Sequence, residues 1–181
     1  ENVMDYNRYT KYKKIHDFSD IELLYGKTLF VFDIDETLMV YDEINKDWWK
    51  NRLNSVGETA ALEEWLELVK NSTPKHTSKE SFDKLISYIA KDNILCLTAR
   101  KEILKDITEQ HLEQIGVLGF PVYYSNGECK GKKLREIIQN YSNIENIVFV
   151  DDNKNNLFSV NKEFYHDDIK VYCYYFKYIN V

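Results

Sequence analysis

Cysteine is scarce in this chain. Only Cys96, Cys129 and Cys173 occur in 181 residues, too few and too scattered for a disulfide scaffold or a zinc site. Cys96 and Cys173 fall inside predicted strands, where a thiol serves as a small buried hydrophobe. Positive charge is also in deficit: 24 basic against 30 acidic residues give a net charge of −6. Nothing therefore draws the chain as a whole to nucleic acid or to an anionic membrane. No window holds 18 consecutive apolar residues, so no membrane-spanning helix is expected. Internal repeats and low-complexity linkers are absent as well. The chain begins at Glu1 and not at Met, so a leading segment is hidden from view. A soluble protein is expected, either cytoplasmic or exported after loss of such a segment.

What is present suffices for one core domain. Hydrophobic residues make up 44% of the chain, with 14 tyrosines and 9 phenylalanines, enough for a proper core at this length. Residues 1–18 mix tyrosines with Arg8, Lys11, Lys13 and Lys14. They read as a packed or loose arm rather than a stacking surface for single-stranded nucleic acid. Ser19 and Glu22 fit a capping box for a short helix through Ile21, Leu23 and Leu24 that stops at Gly26.

The stretch Val31–Leu38, VFDIDETL, organises the rest. Leu29 to Phe32 is an unbroken apolar run suited to a buried parallel strand, and Asp33 and Asp35 end it abruptly. Residues two apart on a strand share a face, so these two acids start on one side. Carboxylates about 4 Å apart repel by roughly 4 kcal/mol at an effective dielectric near 20. Such a pair needs a cation, a shared proton or an exposed turn.

Downstream, residues 41–74 read as a helical insertion. One short helix spans Asp47 to Leu53 with Trp48 and Trp49. A second, capped by Ser55 and Glu58, has Ala61, Leu62, Trp65, Leu66 and Val69 as its stripe. A third helix opens at Thr77 with Phe82, Leu85, Ile86 and Ile89 inward. A strand follows at Ile94 to Leu97. A fourth helix then carries Ile103, Leu104, Ile107, Leu112 and Ile115 inward and stops at Gly116. Val122 to Tyr124 is a brief strand before the Asn126-Gly127 turn. A fifth helix starts near Lys130 or Gly131, a strand at Ile147 to Val150 runs into Asp151 and Asp152, and a helix through Leu157 and Val160 leads to a last strand, Val171 to Phe176. Alternating strands and helices predict an α/β fold with a mainly parallel, five-stranded sheet. Residues 1–40 and 75–181 form its core and 41–74 a small cap. Ligands bind beyond the carboxyl ends of such strands. Asp33, Asp35, Thr98, Asp151 and Asp152 should thus meet in one crevice. A hard cation would offset their charge. Mg²⁺ suits an all-oxygen set without His or Cys.

Four stretches in order, FDIDETL at Phe32–Leu38, LTAR at Leu97–Arg100, CKG at Cys129–Gly131 and VDDNKNN at Val150–Asn156, resemble the signature motifs of the haloacid dehalogenase superfamily of phosphohydrolases. The TAR triplet and the DD-x-x-x-N spacing resemble a poorly described bacterial branch. The resemblance implies a Rossmann-like core and a Mg²⁺-dependent phosphatase acting through an aspartyl-phosphate. By position, Asp33 would be the nucleophile and Asp35 the acid and base. Thr37 would support the loop, and Thr98 would bind phosphate. Lys130, chosen over Lys132 and Lys133 for its Lys-Gly pair, would offset negative charge. The metal would be held by Asp33, the backbone carbonyl of Asp35 and Asp152, with Asp151 orienting the lysine or a metal-bound water. Ala99, Arg100 and Trp48 are further candidates for substrate contact. A small phosphate ester is the expected partner, a phosphorylated protein also fits, and no nucleic-acid partner is expected. Two other readings use the same residues: a silent binding or effector module on this fold, and a receiver-type phosphoacceptor domain. Acidic turns, solvated lysines and core tryptophans are the ordinary roles of these residue types.

Overall fold

The computed structural model describes residues 9–180. A six-stranded sheet runs through its centre in the order β1 (Lys13–Ile15), β8 (Lys170–Phe176), β7 (Asn146–Asp151), β2 (Thr28–Phe32), β5 (Ile94–Thr98) and β6 (Val122–Tyr124). Every pairing in it is parallel, giving a Rossmann-like α/β layout. The sixth strand is β1, which the sequence reading placed in an arm. Its basic side chains suit an edge position, and it pairs with β8 through Lys13 opposite Tyr174 and Ile15 opposite Phe176. The first eight residues of that arm lie outside the described ones.

β2 is buried at every residue because strands flank it on both sides and helices cover both faces. Its alternating side chains feed two cores. Phe30 and Phe32 join Phe18, Phe82, Leu112 and Val69 on one face. Leu29 and Val31 join Leu134, Ile137, Leu157, Val160 and Phe164 on the other. The first face is covered by α3 (Lys79–Ile86) and α4 (Lys105–Gln114), the second by α5 (Lys130–Ile137) and α6 (Lys154–Phe164).

Residues 41–74 are bracketed by an antiparallel ribbon of β3 (Met39–Val40) and β4 (Lys75–His76). They carry α1 (Lys46–Val56) and α2 (Glu58–Asn71). Gly57, at φ 84°, separates the two helices, so Ser55 lies within α1 and bonds back to the Asn51 carbonyl instead of capping α2. Tyr41, Ile44 and Val69 belong to the same buried cluster as Phe32, so the insertion packs directly on the sheet.

Two local expectations change. Ser19 to Leu24 forms a single 3₁₀ turn, Phe18–Asp20, capped by Asp17, which accepts from the Ser19 amide at 2.8 Å. Asp17 offers its carboxylate two residues earlier than Ser19 could, and Ile21 is already extended. Ile103 sits in the 3₁₀ turn Glu102–Leu104 ahead of α4 and is 87% exposed, whereas Leu104, Leu112 and Ile115 point inward as expected. The tighter turn rotates Ile103 off the helical stripe.

Candidate functional site

The loop after β2 is a tight turn. The Ile34 carbonyl accepts from the amides of Thr37, Leu38 and Met39, and Glu36 takes a positive φ of 63°. Thr77 pins it from outside by donating its hydroxyl to the Thr37 carbonyl at 2.6 Å. The Asp33 amide still donates to Val150, so Asp33 holds its place in the ladder with β7. That ladder sets Asp33 beside Asp151 and Asp152. The three carboxylates have oxygens within 4.8 Å of one another.

Lys130 lies under them, 2% exposed. Its Nζ donates to Asp33 at 2.8 Å and to Asp151 at 2.7 Å. It reaches that depth because α5 begins against α6. A Cβ at Gly131 would run into the Ser159 carbonyl, and the Gly131 amide donates to Ser159 Oγ at 2.9 Å. Lys132 is exposed and Lys133 pairs with Glu136, so of the three lysines Lys130 alone joins the acids. Thr37 Oγ1 donates to the second Asp33 oxygen at 3.1 Å. Asp151 also accepts from the Asn153 amide and from Asn156 Nδ2, and so orients the lysine.

The charges are unevenly matched. Burial is the largest influence and works against ionised Asp33, but the charge of Lys130 and hydrogen bonds from Asp152, Lys130 and the Ile34 amide together hold the carboxyl below its usual range. Asp151 is pushed up to about 6 by burial and by Asp33, against the pull of Lys130. Asp152 is pushed up to about 9 by burial and by the negative charge of Asp33. A divalent cation among these oxygens would offset the repulsion between Asp33, Asp151 and Asp152. The all-carboxylate donor set fits Mg²⁺. The cation that Asp152 does meet is Lys46 at the start of α1, whose Nζ lies 2.9 Å from its carboxylate and 3.1 Å from its carbonyl.

Asp35 stands apart from the trio. Arg100 grips both of its oxygens, through Nε at 2.8 Å and Nη2 at 2.7 Å. The same guanidinium donates to Thr108 and Tyr41, and the Trp65 ring lies 5.0 Å from it. Tyr41 in turn contacts His111 Nδ1 at 2.6 Å. Thr98 is buried at the end of β5 and accepts from the Arg100 amide at 3.1 Å, which shapes the turn that aims Arg100 inward. Lys46, Tyr41, Thr108 and Trp65 escaped the sequence reading because no local spacing links them to the motifs. The lone hint was Arg100 itself, two residues after Thr98.

A cavity of about 560 Å³ opens beside the trio. Asp33, Asp35, Asp152, Ala99 and Arg100 line it. Trp48 does not; it packs against the core, and the cavity is walled by Trp49 and Trp65 instead. One residue is 100° of helix, enough to exchange an inward for a cavity-facing position.

Residues 10–120 match a family described as "Protein of unknown function (DUF2608)", and the chain belongs to that family. The matched region holds Asp33, Asp35, Thr98, Arg100 and the whole insertion; Lys130, Asp151 and Asp152 lie beyond it. No curated protein matches the chain.

Proposed function

We propose that this member of the DUF2608 family is a Mg²⁺-dependent phosphatase of the haloacid dehalogenase type, acting on a phosphomonoester. The observation that carries the reading is Lys130, buried between Asp33 and Asp151 at 2.8 and 2.7 Å with Asp152 alongside. A lysine is sunk this deep only where fixed negative charge surrounds it.

Asp33 is the nucleophile. Thr37 and Lys130 hold its two oxygens and keep it ionised. One oxygen attacks phosphorus, the P–O bond to the alcohol breaks, and an aspartyl-phosphate forms on Asp33. Water then attacks that phosphorus, releasing phosphate and restoring the carboxylate. Asp35 supplies a proton to the departing alkoxide and takes one from the water. To do so it must release at least one oxygen from Arg100. Lys130 offsets negative charge on Asp33 and on the phosphoryl oxygens. Mg²⁺, when held by Asp33 and Asp152 with the Asp35 carbonyl, supplies a Lewis acid for a phosphoryl oxygen. Lys46 must then yield Asp152.

The bidentate hold on Asp35 favours a second reading, a module that binds phosphate groups, or becomes phosphorylated, without turnover. Release of phosphate from p-nitrophenyl phosphate separates the two. Steady release that needs Mg²⁺, stops with EDTA and disappears in Asp33→Asn supports the phosphatase. A single burst, or equal inertness of wild type and Asp33→Asn across a broad ester panel, supports the module.

A further inference from the structure

The cavity is far larger than a phosphoryl group requires, and at about 560 Å³ it falls in the range that encloses a small ligand, roughly 300–1,000 Å³. Its composition is lopsided. Asp33, Asp35 and Asp152 come from the loops after β2 and β7, Asn153 and Asn156 from the start of α6, and Glu36, Asn45 and Lys46 add polar groups near them, whereas the rest of the α1–α2 side and the 3₁₀ turn contribute Ile44, Trp49, Leu62, Trp65, Leu66 and Ile103. Glu58 and Lys101 lie at the exposed rim together with Ile103, so the inner apolar wall is Trp49, Leu62, Trp65 and Leu66. Arg100 directs its donors to Asp35, Tyr41 and Thr108.

We infer that the leaving group is apolar: the site takes phosphomonoesters of aromatic or aliphatic alcohols and disfavours sugar and glycerol phosphates. This rests on the phosphatase reading for the position of the phosphoryl group. A polyol pressed against Trp49, Leu62, Trp65 and Leu66 would lose water from the hydroxyls on that side without gaining partners there. An aromatic ring would bury carbon against Leu62, Leu66 and the two indoles.

Aryl esters are chemically better leaving groups, so binding of phosphonates that cannot be hydrolysed gives the cleaner test. Calorimetry in Mg²⁺ compares benzylphosphonate, 2,3-dihydroxypropylphosphonate and methylphosphonate. Benzylphosphonate should bind at least about 30-fold tighter than either of the others. Leu62→Asn combined with Leu66→Asn should shrink its advantage over methylphosphonate to under about 5-fold. That ratio separates loss of the wall from loss of the fold, which would abolish binding of all three probes. If methylphosphonate binds and benzylphosphonate is no better, the apolar leaving group is wrong while the phosphatase stands. Tighter binding of the dihydroxypropyl compound, or of a phosphoserine peptide, also overturns the inference. If no phosphonate binds and no ester is hydrolysed, the phosphatase reading fails and the inference falls with it.

Discussion

The two sides of the cavity are built on opposite principles. The floor consists of charges at the ends of β2 and β7, of which Asp33 and Asp151 are buried and held by two or more partners: Asp33 by Thr37 and Lys130, Asp151 by Lys130, Asn153 and Asn156. The wall consists of α1 and α2, which have apolar and aromatic faces and many exposed residues. Its one link to the trio is Lys46, more than half exposed, on Asp152. The buried charges are set on a sheet whose ladder fixes their backbone, whereas the apolar surface is borne by two helices joined at Gly57. Buried charge and the apolar surface beside it thus come from separate segments of one chain.

The comparison breaks most sharply at the floor. Asp33→Asn should lower phosphate release about 10³-fold or more, since Asp33 is the carboxylate proposed to form the covalent bond; a smaller loss in a steady-state assay would remove Asp33 as nucleophile. Lys130→Met leaves Asp33 and Asp151 buried and unbalanced, which should cost about 3–5 kcal/mol in urea unfolding. An unchanged midpoint would mean that the floor is no more rigid than the wall.

A pH effect arises at the base of the wall, where His76 ends the β3–β4 ribbon. Its Nδ1 accepts from the Ser78 amide, and its buried Nε2 has no partner among the described residues. Burial, aided by the nearby Lys79, pushes its pKa down to about 4. The folded state therefore binds fewer protons than the unfolded state between pH 6.5 and 4. Stability from this group is complete above about 6.5, falls as pH drops to about 4 and is flat below, a loss of up to roughly 3 kcal/mol. His76→Leu should remove that slope from the difference between wild-type and variant unfolding profiles; parallel profiles would show that His76 protonates freely in place.

The smallest effect concerns the link itself. Lys46→Met removes a cation that occupies Asp152, so Mg²⁺ should bind a few-fold more tightly in calorimetry. Weaker binding would show that Lys46 helps to build the site instead of competing for it.

Much of this was legible beforehand because its signals are local. A continuous apolar run closed by acids marks β2 and β7 wherever they sit in the sheet, and Gly131 after Lys130 marks a helix start in close contact. Asn126 and Gly127, both at positive φ, mark the turn after β6 in the same way. The helix drawn over Ile21 to Leu24 failed because Asp17 caps a shorter turn. Edge strand β1 was hidden because three residues with two exposed lysines carry no period. Trp48 and Trp49 could not be told apart, since either can face inward until the angle of α1 on the sheet is known.

The order of apolar runs, the acids that close them and the glycine beside Lys130 were enough to settle the parallel α/β architecture and most of the floor, because strand ladders and helix starts follow rules that act over a few residues. Folding in three dimensions decided the rest: that Arg100 holds Asp35 while Lys46 holds Asp152, and that Trp49 and Trp65 face the cavity. Those pairings join segments up to 106 residues apart, and attraction over such separations depends on how helices pack, which no short stretch of chain encodes.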